Sequence, residues 1–406
     1  MITLRVTPLF PLFPDVDRRT ACLRVCLLSA CLLSMIACAP LWINARFFPL
    51  LTLTSGFPVL PGPWDKLFFG AMLLSLILAA RFYRPAVTFF LIAALFVFCE
   101  DQNRGQPWFY MYFVMLGLTL FPSPVSLAAC RCAMSFAYIW SGIQKCNPRF
   151  FEIVPAWFVA PAAQWHLPAI VIDLFRGAVA SAPIVELAIG FALWVPRLRV
   201  PAIGMAVVVH LIALLFLGPL GYNGDRVVWP WNLAMVALLV ILFGWPAREK
   251  NHEAEPRRTF SELRRSRPAA VIVALYALLP ILSFAGWWDS YFSFTLFAES
   301  QARADIFVTQ AFRDRLPPNI RQYVFPVGQD YDPRIQGPYA INYQAWALLE
   351  LHAPSIFEPR GFRSVFAFLR TWSREPDDLR LIIVPRAGPL LFYQGDRSWT
   401  IAPIKK

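Results

Sequence analysis

Charge is what this chain has least of. Only 15% of its 406 residues are charged, against about 25% in an ordinary soluble domain, while 58% are hydrophobic and 16% aromatic. Mean hydropathy is +0.53. That composition excludes a soluble globular chain and points to one that sits in lipid. Cysteine is confined as well: all eight, Cys22, Cys26, Cys31, Cys38, Cys99, Cys130, Cys132 and Cys146, lie in or beside apolar runs, and none follows residue 146. A disulfide framework in the last part of the chain is thereby excluded. No Cys-x-x-Cys occurs, and Cys130-Arg131-Cys132 has the wrong spacing for a thioredoxin-like pair. The cysteines read as small buried hydrophobes.

What is abundant is apolar sequence in long runs. Candidate spans fall near residues 22–43, 64–81, 85–99, 107–121, 125–145, 178–195, 200–218, 227–245 and 268–286, judged against about 20 residues per crossing. The fold class expected is an all-α polytopic membrane bundle of about nine transmembrane helices, with a small α+β C-terminal extramembrane domain. Ala37-Cys38-Ala39 ends the first run as a signal cleavage site would, but Pro40 follows directly, so the run reads as an uncleaved anchor. Paired, Gly/Pro-broken spans in two matching halves, the mark of many transporters, are not seen.

The formal net charge of +12 would suggest nucleic acid in a soluble protein. Here the arginines cluster between apolar runs, which is a topology signal, and nucleic acid is not expected as a partner. Arg248, Lys250, Arg257, Arg258, Arg264, Arg265 and Arg267 form the densest basic stretch, which should be cytoplasmic. Alternation then puts Arg197 and Arg199, Arg81 and Arg84, and Arg5, Arg18 and Arg19 on the same side, and the loops Asp101 to Arg104, Lys145 to Arg176 and Asn223 to Arg226 on the outer side. The expected organisation is a cytoplasmic segment over residues 1–21, a transmembrane domain over 22–288 and an extracytoplasmic α+β domain over 289–406. The protein should reside in the inner or plasma membrane with the bilayer as its first partner. In the last domain, strands are expected at Tyr291 to Phe297, Leu379 to Val384 and Leu390 to Tyr393, and helices at Tyr339 to His352 and Gly361 to Trp372. Its expected role is to cap or gate the outer mouth of the bundle.

Ionisable groups at membrane depth are costly and are functional candidates for that reason. They are Arg131, Lys145, Glu186 and His210. Arg131, Ser135, Tyr138, Gly142 and Lys145 share one helical stripe, which should face protein. In a catalytic reading, Lys145 in a poorly solvated pocket acts as a base, Glu186 pairs with Arg131, and His210 relays or orients. In a structural reading, Lys145 snorkels to the headgroups, Glu186 and Arg131 are a structural pair, and His210 is a satisfied core histidine. Two further polar clusters are candidate ligand-binding lips on the same outer face. One comprises Asp101, Gln102, Arg104, Gln106 and Trp108; the other is built on Asn223, Asp225, Trp229, Trp231 and Asn232, and Tyr138 is a further candidate ligand contact. No metal-ligand cluster stands out.

The segment Tyr138-Ile139-Trp140-Ser141-Gly142-Ile143-Gln144-Lys145-Cys146-Asn147-Pro148-Arg149-Phe150-Phe151 resembles the vitamin K-dependent gamma-carboxylase-like family, whose bacterial members are the horizontally transferred transmembrane (HTTM) domain proteins. Val185-Glu186-Leu187-Ala188-Ile189-Gly190-Phe191 is similar to that family's acidic-small-Gly helix, and Val209-His210-Leu211 falls where it carries a membrane histidine. The resemblance implies a quinone-like or lipid ligand, with Lys145 as the base acting on a reduced quinone and His210 in support. It also departs from the family. The carboxylases carry a histidine near the start of the span that here begins Gln106-Pro107-Trp108, and their external region is larger. A carboxylase acting on tagged proteins is therefore not expected. The cofactor is open, a reduced quinone following only if that chemistry is retained, and so is any protein partner. Two functions remain: binding or assembly at the outer polar mouth, and a membrane-embedded enzyme.

Overall fold

The computed structural model describes residues 13–54, 56–244, 255–327, 338–386 and 400–401. Most of the first three quarters is helix: α1 (Arg18–Ala37), α2 (Ala39–Trp42), α3 (Trp64–Leu78), α4 (Tyr83–Glu100), α5 (Pro107–Leu118), α6 (Ser123–Lys145), α7 (Pro148–Val159), α8 (Ala169–Ala192), α9 (Arg199–Leu217), α10 (Val228–Leu239), α11 (Glu255–Arg264) and α12 (Arg267–Leu278). Each of the nine expected apolar stretches overlaps at least one of these helices, the first running across both α1 and α2 and the last two running past the ends of α10 and α12. Four, Arg18–Ala37, Tyr83–Glu100, Arg199–Leu217 and Arg267–Ala285, are long and apolar enough to cross a membrane. Leucines, isoleucines and phenylalanines such as Leu33, Phe89, Ile92, Leu211 and Leu275 are exposed on their outer faces. Such a surface fits lipid.

Local chemistry moves two boundaries. The Asp17 carboxylate accepts from the backbone N–H groups of Arg19 and Thr20, so α1 starts at Arg18 rather than near residue 22. Helix α8 starts at Ala169 instead of near residue 178, directly after Pro168. The segment before it, expected as an outer loop, is the amphipathic helix α7, capped by Asn147, whose side chain accepts from Phe150 N. In the basic stretch, Arg248 and Lys250 lie outside the described residues; Arg257 to Arg264 belong to α11.

The C-terminal part holds α13 (Gln310–Arg315), α14 (Pro318–Arg321), α15 (Tyr343–Leu351) and α16 (Pro359–Leu369) around a sheet of β1 (Arg303–Val308), β2 (Val324–Pro326), β3 (Tyr339–Ile341), β4 (Leu379–Val384) and β5 (Thr400–Ile401). The strand order is β2-β3-β1-β4-β5, and every pairing is antiparallel. Alternation divides the strands between two faces. Ile306, Val308, Leu381 and Ile383 join the main core, while Phe307, Ala340 and Ile382 pack on the other side.

The strand at Leu379 to Val384 and the helix starting near Gly361 match expectation. Tyr339 to Ile341 is a strand instead of helix, because Asn342 caps α15 just after it. Tyr291 to Phe297 is not a strand: Tyr291–Ser293 is a 3-10 turn, and Phe294 and Phe297 have φ of 59° and 52°. Leu390 to Tyr393 lies outside the described residues.

Candidate functional site

Helices α6 and α8 touch backbone to backbone, and two glycines allow it. A Cβ on Gly142 would stand 2.7 Å from both Leu187 N and Pro183 O, and one on Gly190 3.0 Å from Ser135 O. Small residues at a helix crossing permit this approach where lipid supplies no hydrophobic drive between helices. The consequence is local: α8 carries Glu186 against the last turn of α6.

There Lys145 Nζ donates to Glu186 Oε2 at 2.8 Å and to Ser141 Oγ at 2.6 Å. Both charged side chains are about nine-tenths buried, at 8% and 11% exposure. The ammonium also sits at the carbonyl end of α6, where the helix dipole favours a cation. Lys145 is therefore a buried ion-pair partner, not a free interfacial anchor.

A second chain of bonds lies alongside. His210 Nδ1 is 2.7 Å from Asn232 Oδ1, and Asn232 Nδ2 donates to Val228 O at 2.6 Å. Since the Asn232 amide donates to a carbonyl, its oxygen faces the imidazole and Nδ1 carries the hydrogen. Nε2 then accepts from the Tyr138 hydroxyl at 2.5 Å. The order Tyr138 to His210 to Asn232 defines one tautomer.

Both sets line the same cavity of about 220 Å³, enclosed by α6, α7, α8, α9 and α10. An apolar cavity of roughly 150 Å³ is enough for benzene. Apart from these polar groups the wall is mostly aliphatic and aromatic, with Phe150, Val154 and Phe158 from α7 and Val185, Val209 and Met235 from α8, α9 and α10. Trp231 also lines it, and its buried indole N–H has no hydrogen-bond partner.

At the sheet end the wall is made by Phe294, Leu296 and Phe297. Two of these aromatic residues hold a left-handed backbone, which costs about 1–2 kcal/mol for a residue with a Cβ. Surrounding bonds keep it. Asn147 Nδ2 donates to Ala298 O at 2.8 Å, Thr295 Oγ1 donates to Ser290 O at 2.8 Å, and Ser300 Oγ donates to Gln144 Oε1 at 3.3 Å. The Arg386 guanidinium donates to the same Gln144 oxygen. Burial pulls that guanidinium down to about 10, with Glu358 and Asp289 opposing. In the motif around Lys145, then, Gln144 and Asn147 hold the loop while Lys145 faces the cavity.

Other candidates do not join the site. Arg131 was expected to pair with Glu186, but its Nε donates to Leu242 O at 2.7 Å and its Nη1 to Thr259 Oγ1 at 3.4 Å. Fourteen residues of α6, roughly 21 Å of helix, separate it from Lys145. Asp101, Gln102, Arg104, Gln106 and Trp108 form no ligand lip either, since all five are buried. Asp101 pairs with Arg46 and accepts from Leu51 N; Arg104 pairs with Glu100 and donates to Asn44 Oδ1 at 2.6 Å. Gln102 accepts from Arg360, and Gln106 donates to Pro354 O at 2.9 Å. Trp108 packs edge-on against Trp42 and Tyr112. Buried charges require such partners; apart from Glu100, four residues before Arg104, they lie 50 or more residues earlier or over 200 later, beyond any local spacing signal.

Asn223 is exposed and Asp225 partly buried in the loop before α10, where Asp225 accepts from Val227 N at 2.9 Å; neither lines the cavity. Asn232 and Trp231 are the site residues the polar-cluster reading placed in a surface group. Their spacing from Val228, on one helical face, is the signal that would have turned them inward.

Among the described residues, no three His, Cys, Asp or Glu side chains come together as metal ligands would. All eight cysteines are free thiols, four buried and four partly buried. No protein-family model matches this chain, and neither a curated protein nor a solved structure matches it.

Proposed function

We propose that this chain is a multi-pass membrane protein of the gamma-carboxylase-like/HTTM group whose intramembrane cavity binds an amphipathic, quinone-like or lipid ligand. In this reading about nine helices cross the bilayer, the N-terminus is cytoplasmic and the sheet is extracytoplasmic. The observation that carries the binding reading is a mostly aliphatic and aromatic cavity of about 220 Å³ that also holds the Lys145–Glu186 pair and the Tyr138–His210 bond. Such a cavity suits a mostly apolar ligand with a few polar atoms that meet those groups. The test is equilibrium binding of a decyl-tailed benzoquinone and its hydroquinone to protein in phosphatidylcholine nanodiscs. Ala213→Phe, which fills part of the cavity, should weaken it about tenfold, which corresponds to about 1.4 kcal/mol. Equal affinity in wild type and variant would sink the assignment.

A second reading makes the protein an enzyme with Lys145 as general base. It is favoured by the convergence of Lys145 and His210, the two residues the family resemblance singles out, on one cavity. The ion pair sets the order of events: Glu186 takes a proton from Lys145, and the neutral amine then takes one from the ligand, so that the carboxyl and the re-formed ammonium hold both. Lys145→Arg separates the readings. It keeps a cation opposite Glu186 but gives up its proton far less readily. Binding with turnover lost identifies the enzyme; binding with no turnover in either protein leaves the pocket a binding site.

A further inference from the structure

The cavity is closed most firmly where water would enter and least firmly where lipid would. Toward the sheet it ends in Phe294 and Phe297, held by the bonds from Asn147 and Thr295, with Phe150 and Phe158 beside them. Between α8 and α9 it ends in small or flexible side chains. Ala178 and Ser181 of α8 and Met205 and Val208 of α9 line the cavity and are also exposed at the molecular surface, the latter two at 49% and 48%.

This seam lies at mid-height. Met205 and Val208 stand roughly 9–14 Å along a helix of about 28 Å, one of the four long and apolar enough to cross a membrane. The surface around it, Leu174, Ile184, Val200 and Leu211, is exposed and apolar. Beside the seam the exposed Gly177 and Gly204 leave open space, since a Cβ added to either would meet no atom within 4 Å.

We infer that the ligand enters sideways from the hydrocarbon layer through the seam between α8 and α9, and that its tail stays there while its polar head lies among Lys145, Tyr138 and His210. This rests on the binding reading above. It specifies the ligand class: a flat or compact head with an acceptor oxygen, carrying an acyl or isoprenoid tail that keeps it in the bilayer. Lying in the seam gains the tail nothing over lipid, so a blocked seam costs the tailed ligand affinity by leaving its tail no way out while the head is seated.

Gly177→Trp and Gly204→Trp test it. Each glycine lies one turn before a seam residue on the same helical face, Ser181 or Val208, outside the cavity lining, with room for a larger side chain. Binding of two labelled probes is measured in phosphatidylcholine nanodiscs: the decyl-tailed benzoquinone and the same ring without its tail. The inference expects at least a tenfold loss of affinity for the tailed probe in both variants, with the tail-less ring within twofold of wild type. Unchanged binding of the tailed probe in both variants, or an equal loss of both probes, overturns the lateral path. If wild type binds neither probe, it is the binding reading that fails, and the inference falls with it.

Discussion

Lys145 Nζ and Glu186 Oε2 lie 2.8 Å apart inside the helical bundle, and the contact exists because Gly142 and Gly190 let α6 and α8 meet at their backbones. One lysine anchored at an interface would need none of this. The buried pair and the Tyr138–His210–Asn232 chain are therefore features of one cavity.

Removing one member of the pair should harm the protein more than removing both. Lys145→Met or Glu186→Gln alone leaves a buried group without its partner, a loss of about 3–5 kcal/mol for broken buried pairs. The double variant should recover most of the fall in thermal midpoint, measured in nanodiscs. Additive losses would mean that the two residues do not act as a pair.

Gly142→Ala and Gly70→Ala should change stability with opposite sign. Alanine is better than glycine in a helix interior by about 1 kcal/mol, and at Gly70 the new methyl meets nothing. At Gly142 it meets the backbone of Pro183 and Leu187 at 2.7 Å, atoms that cannot rotate away. Thermal midpoints of the two variants check this. A rise at both positions would contradict the close crossing.

The imidazole of His210 should show the Nδ1–H tautomer in nitrogen NMR of ring-labelled protein. Asn232→Ala removes the acceptor that selects it, so the signal should move toward a mixture of tautomers. Tyr138→Phe leaves Nε2 without a donor and should cost about 1–3 kcal/mol, the range for a buried group left unpaired. A wild-type spectrum of the Nε2–H form would reverse the order of donation.

Two carboxyls outside the helices predict opposite pH dependence. Desolvation raises Asp225 from 3.8 to about 6, with only the Val227 N–H opposing it. Its folded form is favoured below 3.8, and that contribution is lost as pH rises through 6. For Asp378, desolvation is outweighed by the N–H groups of Glu375 and Arg374 and by Arg315, which hold it at about 2. Its contribution is present above 3.8 and is lost as pH falls toward 2. Relative to wild type, Asp225→Asn should gain thermal stability as pH rises from 4 to 7, and Asp378→Asn should lose most at neutral pH and least near pH 2.

Much of this was legible in one dimension. The helices could be read because an apolar run of helix length is a local property, and the Arg131-to-Lys145 stripe could be read because helical periodicity is local too. Lys145, Glu186, His210 and Tyr138 stood out as polar groups in apolar surroundings, and all four line the cavity. The Asp101 to Trp108 segment misled for the same reason. A dense polar cluster has the same sequence pattern whether water or Arg46, Asn44 and Arg360 satisfy it. Phe294 to Phe297 looked like a strand from its aromatic content, whereas bonds from distant residues hold it in a left-handed turn.

Composition and apolar run length by themselves determined that this is a largely helical chain with helices suited to a membrane, since the transfer of a side chain from water to lipid depends on its chemistry and not on its neighbours. Which charges meet was decided by the tertiary structure alone. Glu186 faces Lys145 instead of Arg131 because two glycines 48 residues apart allow a backbone contact. A pairing energy depends on distance, and distance between helices is not encoded in the spacing along either one.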